Sequence, residues 1–263
     1  MIPQSYIESW RTQVPWQTLA MVEQDMVISR ALIDLYNQPQ VQNSLIFRGG
    51  TALNKLIFNP PARYSEDIDF VQKRPEPIGE TLNAIRNALD PWLGNPKRKL
   101  TERSAKLVYQ YAGINNLPAK LKVEINTTEH FQVLSPVLIP YSMNSEWFKG
   151  DCTIVTYEVE ELLATKLRAL YQRRKGRDLF DIWFVFSKQL AEIDRVIQIF
   201  HKYCENDGIA ITKDIFHSNM IQKRLNTDFQ VDMSVLLPHQ THWNFDEAFE
   251  FVLKHVVSRI DNE

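Results

Sequence analysis

Phe47-Arg48-Gly49-Gly50-Thr51-Ala52-Leu53-Asn54-Lys55, followed by Arg63-Tyr64-Ser65-Glu66-Asp67-Ile68-Asp69-Phe70, is the stretch on which the fold of this chain turns. Ser44 to Phe47 is a short apolar run that stops at two glycines, the pattern of a buried strand closed by a turn. Thr51 stands where a hydroxyl caps a short helix running to Phe58, and Pro60-Pro61 ends it. A strand that passes through two glycines into a helix brings backbone N–H groups close to a ligand, and a helix N-terminus favours an anion. Gly49, Gly50 and Thr51 are therefore expected to seat phosphates, although a glycine pair also marks plain turns.

Ile68 to Val71 reads as the next strand. Asp67 and Asp69 lie two residues apart, so a strand points both carboxylates to one face. Like charges placed so are costly unless a cation lies between them. Mg²⁺ (or Mn²⁺) suits carboxylate and phosphate oxygens. Taken alone, the pair also reads as an exposed acidic edge.

Outward from this centre, three more strands are expected at Lys106 to Tyr111, Lys120 to Asn126 and Phe131 to Ile139. The middle one alternates, with Leu121, Val123 and Ile125 on one face and Lys120, Lys122, Glu124 and Asn126 on the other. Glu124 is thus expected to supply a third metal carboxylate, completing a site in which two metals lie roughly 3.5–4 Å apart. Its alternative is a surface pair with Lys120 or Lys122. Helical periodicity predicts helices over Trp16 to Tyr36 and Ile78 to Trp92. Thr153 to Tyr157 closes the mixed region with a strand. Helices follow at Glu158 to Arg174, Asp178 to Ser187, Ile193 to Cys204, Lys213 to Leu225 and Phe245 to Ile260. The fold expected is α+β: a small mixed-sheet core with an N-terminal helix over residues 1–157, and a helical part over 158–263 that contributes to the active site.

A third cluster lies in that helical part. From Lys166 to Arg177 there are six basic residues and no acidic one, and Asp178 and Asp181 follow. A lysine serves a triphosphate as a point charge, and an arginine grips phosphate as a fork. Lys166 and Arg177 are the expected phosphate contacts. A structural alternative pairs Arg174 with Asp178 and Arg177 with Asp181 along the helix.

Net charge is −2, so no basic field covers the whole chain, and any nucleic-acid surface must be local. The two cysteines, Cys152 and Cys204, are too few for a disulfide framework or a zinc cluster and read as buried thiols. The beginning lacks the features of a signal peptide, and no apolar run approaches the ~20 residues of a membrane span, so a cytoplasmic protein without a membrane partner is expected. His239 and His242, three apart after Pro238, read as loop residues.

The string from Phe47 to Lys55, with Arg63 to Phe70, resembles the first motif of the AbiEii/AbiGii-type nucleotidyltransferase toxins of the DNA polymerase β-like superfamily. Leu163-Ala164-Thr165-Lys166-Leu167-Arg168-Ala169-Leu170 is similar to the family's lysine motif, and Arg177-Asp178-Leu179-Phe180-Asp181 to its last motif. Glu23-Gln24-Asp25 resembles a Glu-x-Asp element common there. The likeness runs from about residue 20 to 190. It implies a polymerase β-like core, an NTP substrate and Mg²⁺. It implies that Gly49, Gly50, Thr51 and Ser65 hold phosphates, that Asp67 and Asp69 bind metal, and that Lys166 contacts the triphosphate. Asp178 would act near the metal or the nucleophile, in one reading as a base, while Asp181 holds its helix in place. Glu124 rests on the strand argument, since the family pattern is loose there. Relatives are toxins of type IV toxin–antitoxin and phage-defence pairs, encoded beside an antitoxin, and some add nucleotides to the 3′ end of tRNA. An RNA acceptor and a cognate antitoxin are the partners this implies. The alternatives are a small-molecule or protein acceptor, or a non-catalytic nucleotide-binding module.

Overall fold

The computed structural model describes residues 2–238 and 241–261; His239 lies outside them. The chain forms two compact units, one of residues 1–130 and 136–156, the other of 131–135 and 157–263.

In the first unit the elements run α1 (Gln4–Trp10), α2 (Leu19–Tyr36), α3 (Pro39–Ser44), β1 (Leu45–Arg48), α4 (Gly49–Ala52), β2 (Asp67–Gln72), α5 (Gly79–Leu93), β3 (Lys97–Leu100), β4 (Ser104–Ala112), β5 (Pro118–Asn126), β6 (Val137–Asn144) and β7 (Lys149–Thr156). Among the described residues these strands make one seven-stranded sheet in the order β3-β4-β5-β2-β1-β7-β6. β2 runs parallel to β5 and β1 parallel to β7, and the other neighbours are antiparallel. Alternation decides the faces. Ile68 and Phe70 of β2, Leu107 and Tyr109 of β4, and Leu121, Val123 and Ile125 of β5 are buried, while the residues between them form a polar face.

α2 is buried on nearly every side, including the polar residues Glu23, Gln24 and Asp25. A helix so enclosed must satisfy its polar groups internally. Glu23 accepts from the Ile114 amide at 2.7 Å. Asp25 accepts from Trp10 Nε1 at 3.0 Å and from Lys55 Nζ at 2.7 Å, and Lys55 also donates to Ser29 Oγ at 2.8 Å. The Gln24 amide donates to the carbonyls of Glu66, 3.1 Å away, and Lys120, 3.0 Å away, so it clips together the entries to β2 and β5. The Glu-x-Asp element is thus the polar fastening of α2.

Two sequence expectations need correction here. The chain beyond Thr51 tightens into a π-type turn over Leu53–Ile57, and the helix starts at Gly49 with Arg48 as its cap residue, so Thr51 lies inside it rather than at its cap. The strand expected at Phe131 to Ile139 begins only at Val137. The Glu161 carboxylate of the second unit accepts from the amides of Val133 and Leu134, at 2.7 and 2.8 Å, which removes those groups from any ladder.

The second unit contains α6 (Val159–Gln172), α7 (Gly176–Ser187), α8 (Ile193–Asn206), α9 (Lys213–Arg224), α10 (Thr227–Val231) and α11 (Phe245–His255). The last helix breaks at His255 into a 3₁₀ turn over Val257–Arg259, short of the Ile260 expected. Buried Lys223 of α9 donates to the carbonyls of Leu170 and Tyr171, satisfying the C-terminal end of α6. Cys152 and Cys204 are buried and free. Among the described residues no helix is long and apolar enough to cross a membrane.

The Asp25–Lys55 pair is buried, with side chains 4% and 10% exposed. Removing one partner strands the other charge. Lys55→Met should therefore lower unfolding stability by about 3–5 kcal/mol, read from urea midpoints at constant m-value; an unchanged midpoint would contradict the assignment.

Candidate active site

β2 enters the sheet from a short loop, and period-two geometry puts Asp67 and Asp69 on its polar face. The register then builds a row across the sheet: Arg48 of β1 opposite Asp69, Asp69 opposite Glu124 of β5, and Glu124 opposite Lys106 of β4. Asp67 stands opposite Lys122. Lys122 Nζ lies 2.7 Å from Asp67 Oδ2 and 3.3 Å from Glu124 Oε2, and Lys106 Nζ lies 2.7 Å from Glu124 Oε1.

These neighbours divide the carboxylates electrostatically. Burial, and then the Asp67 charge beside it, push the Asp69 carboxyl above its ordinary value, and Lys122 and Arg48 only partly offset this. Burial also opposes the Glu124 charge, but the Lys106 hydrogen bond and Lys122 hold that group below the usual carboxylate range. Among the described residues no three His, Cys, Asp or Glu side chains converge as a metal centre. Glu124, the third carboxylate expected, stands opposite Asp69 in the register and is engaged by lysines. Both Glu124 oxygens face lysine ammonium groups: Lys122, one of the two partners of the alternative reading, and Lys106, which that reading did not include. Asp67 and Asp69 fit a divalent cation better, as all-oxygen donors on one face whose charges repel.

The glycines are required by the carboxylate pair and its support. Gly49 has φ +83°, and a Cβ there would lie 2.9 Å from Asp69 Oδ2. A Cβ on Gly50 would lie 2.0 Å from Nη2 of Arg63, which is almost wholly buried. Arg63 Nη1 donates to the Tyr64 carbonyl at 3.0 Å. Thr51 is buried and donates its only hydroxyl proton to the Asp67 carbonyl, so Ser65 Oγ, 2.7 Å away, is the donor in their contact. The hydroxyls of Thr51 and Ser65 thus join α4 to the loop ahead of β2.

In the second unit Lys166, Asp178 and Asp181 come together. Lys166 Nζ is 3.0 Å from Asp178 Oδ1 and 2.9 Å from Asp181 Oδ2, and both carboxylates are fully buried. Arg173 closes the other side, with Nε 2.7 Å from Asp178 Oδ2 and Nη2 2.9 Å from Oδ1. Burial opposes the Asp178 charge, but Lys166 and Arg173 outweigh it and hold the carboxyl down at about 2. Lys166 and Arg173 together hold Asp178 as an anion, which fixes the position of the Lys166 ammonium group. Arg177 turns to Asp232, its backbone N–H and Nε donating to Oδ2 at 3.0 and 3.3 Å.

Sequence reasoning did not single out Arg63, Lys106 or Gln24. Arg63 stands inside the quoted motif, and Gly50 is the trace it leaves. Lys106 needs the register of β4 against β5, which no single strand discloses.

Set beside solved structures, the fold is that of a nucleotidyltransferase. The MenT4 nucleotidyltransferase toxin of Mycobacterium tuberculosis superposes with a TM-score of 0.65 at 16% identity, covering 100% of this chain and 91% of that one. JHP933 of Helicobacter pylori superposes with a TM-score of 0.55 at 17% identity, covering 92% of each chain. A putative nucleotidyltransferase of H. pylori gives 0.55 at 18% identity over 92% of this chain and 95% of the other. No curated protein matches the chain significantly. Residues 30–251 match the family model described as nucleotidyl transferase AbiEii toxin, type IV toxin–antitoxin system, and the chain belongs to that family.

Asp69 and Asp178 should respond oppositely to loss of charge. A raised native pKa means that ionised Asp69 costs stability, increasingly as pH rises through that pKa. Asp69→Asn should raise the melting temperature at pH 7 in chelator by about 2–4 °C, the shift that ~1 kcal/mol gives a chain of this size. A depressed pKa means that Asp178 contributes stability above its unfolded value near 3.8, lost as pH falls through about 2. Asp178→Asn should cost about 3 kcal/mol at neutral pH and remove that acid-sensitive component. Two melting curves per variant decide both; a destabilised Asp69→Asn would refute the electrostatic reading of β2.

Proposed function

We propose that this chain transfers a nucleoside monophosphate from an NTP to an RNA acceptor, the 3′ end of tRNA being the acceptor chosen for test. The observation that carries the reading is the Asp67–Asp69 pair: two carboxylates on one sheet face, with Asp69 pushed toward neutrality by its surroundings. Family membership supports transferase chemistry and implies an NTP substrate and a cognate antitoxin. MenT4, named a nucleotidyltransferase toxin, supports the same reading through its fold.

Asp67 and Asp69 would hold a divalent cation, Mg²⁺ or Mn²⁺. When bound, such an ion supplies positive charge against the triphosphate and lowers the pKa of a hydroxyl. Gly49 leaves the backbone without a side chain beside Asp69, so that phosphate oxygens would meet amide groups there, and Gly50 makes room for the Arg63 guanidinium behind it. Thr51 and Ser65 serve that seat by fixing the loop that carries Asp67. Lys122 faces Asp67 and Glu124 and balances charge on the same face, and Glu124 holds Lys106 and Lys122 in place. Lys166 is assigned to the triphosphate by its motif; Asp178 and Asp181 fix its ammonium group, and Arg177 anchors the start of α7 through Asp232. Positive groups held in advance need no reorganisation when charge develops on a leaving pyrophosphate.

The test is incubation of the purified protein with Mg²⁺, each labelled NTP in turn, total tRNA and total protein. Label on tRNA is expected. Label on protein would keep the transferase and replace the acceptor; no label anywhere would overturn the reading. Asp67→Ala and Asp69→Ala should each reduce transfer about a hundredfold or more with the far-ultraviolet circular dichroism retained, and full activity of either at saturating Mg²⁺ would remove it from the site.

A further inference from the structure

We infer that the outer polar face of the sheet, carried by β3, β4 and β5, is a phosphate-tracking surface that leads an RNA strand to Asp67 and Asp69. The inference rests on the RNA-acceptor reading above and adds to it where the strand lies.

The argument is one of register. Residues paired across a sheet point to the same face. Lys99 of β3 pairs with Lys106 of β4, which pairs with Glu124 of β5, which pairs with Asp69 of β2. One step along, Lys97 pairs with Val108, Val108 with Lys122, and Lys122 with Asp67. Lys120 lies two residues before Lys122 and shares its face. Five lysines, Lys97, Lys99, Lys106, Lys120 and Lys122, therefore stand on the face that carries the aspartates. Neighbours are spaced about 5 Å across strands and about 7 Å along them.

At the inner end lysine charge is matched: Lys106 and Lys122 engage Glu124 and Asp67. At the outer end it is not matched by the strands. Lys97 and Lys99 are exposed, and the residues sharing their face on β4 are Ser104, Lys106, Val108 and Gln110, none of them acidic. From Lys97 to Ala112 the sequence holds five basic residues and one acid, Glu102, in the β3–β4 turn. In a chain of net charge −2 this is a local concentration of positive charge.

The character of the face selects the ligand. No aromatic side chain stands among these β3 and β4 residues, so bases have no stacking platform there. Flexible ammonium groups suit phosphates, which fix a strand's position without reading its sequence. A phosphodiester strand whose terminal hydroxyl reaches the aspartates meets both conditions.

Edge-strand lysines also discourage sheet-to-sheet pairing, and Arg98 separates the two explanations. It is exposed on the same strand, but its partner is buried Leu107, which puts it on the opposite face. It guards the edge equally well and cannot join the track.

The experiment measures binding of a fluorescent, mixed-sequence single-stranded RNA against salt concentration, together with nucleotide transfer to the same RNA. The double variant Lys97→Gln/Lys99→Gln should flatten the log–log salt slope by about 1.4, from about 0.7 per lysine lost on a single strand. It should reduce transfer to RNA with NTP binding unchanged, and Arg98→Gln should leave the slope as in the wild type. An unchanged slope in the double variant, or an equal loss in Arg98→Gln, overturns the track. Lysine-dependent binding without transfer supports the track and refutes the RNA-acceptor reading. Transfer to RNA that is the same in the double variant and the wild type refutes the track and keeps the RNA-acceptor reading; transfer to protein alone refutes both.

Discussion

Repulsion between Asp67 and Asp69 is the constraint around which the first unit is arranged. Two carboxylates on one face of one strand have no favourable arrangement of their own. Their surroundings are organised to hold them there regardless. Gly49 takes a positive φ and leaves out its Cβ so that the Asp69 carboxylate can lie against it. Thr51 fastens the Asp67 carbonyl and Ser65, while Gln24 fastens Glu66 and Lys120 from the opposite side. None of these contacts neutralises the pair; they fix its backbone. Positive charge comes from Lys122 and Arg48 and is incomplete for Asp69, whose carboxyl stays raised.

The second unit resolves the same problem the other way. Asp178 and Asp181 lie one helical turn apart and are buried more deeply than the β2 pair, yet Asp178 is held at about 2. Lys166 stands between them, and Arg173 reaches Asp178 from the helix junction. Burial alone would raise such a group, so the direction of the shift shows that ion pairing outweighs desolvation. Asp69 is left short of positive charge, whereas Asp178 is saturated with it. The contrast lies in the supply of nearby ammonium and guanidinium groups, not in the depth of burial.

Much of this was legible in the sequence, for identifiable reasons. Alternation along Lys120 to Asn126 gave the faces of β5 because period two is a local property, and Asp67-x-Asp69 gave a shared face by the same rule. The motif strings gave the family, which the match over residues 30–251 bears out. What escaped is non-local. Thr51 looks like a cap because a hydroxyl follows a turn; its actual partner, Asp67, is sixteen residues away. Phe131, Val133 and Leu134 make that stretch look like a strand, but the amides of Val133 and Leu134 are taken by Glu161, nearly thirty residues on. β3 was missed because Lys97-Arg98-Lys99-Leu100 is exposed throughout and carries no periodicity.

Register also explains why bulk charge says little about this chain. Thirty basic and thirty-two acidic residues nearly cancel, and no composition argument can find a field in the remainder. Pairing sorts charges by face and by row, and screening in salt keeps each row's influence within about 10 Å. Glu124 shows the consequence. From its own strand it is a spare carboxylate beside two aspartates; from the row it is the counter-ion of Lys106 and Lys122. A cation approaching Asp67 and Asp69 therefore meets Glu124 already engaged. Recruiting it as a ligand would release two ammonium groups from their partner, on the face where a polyanionic substrate would itself need positive charge.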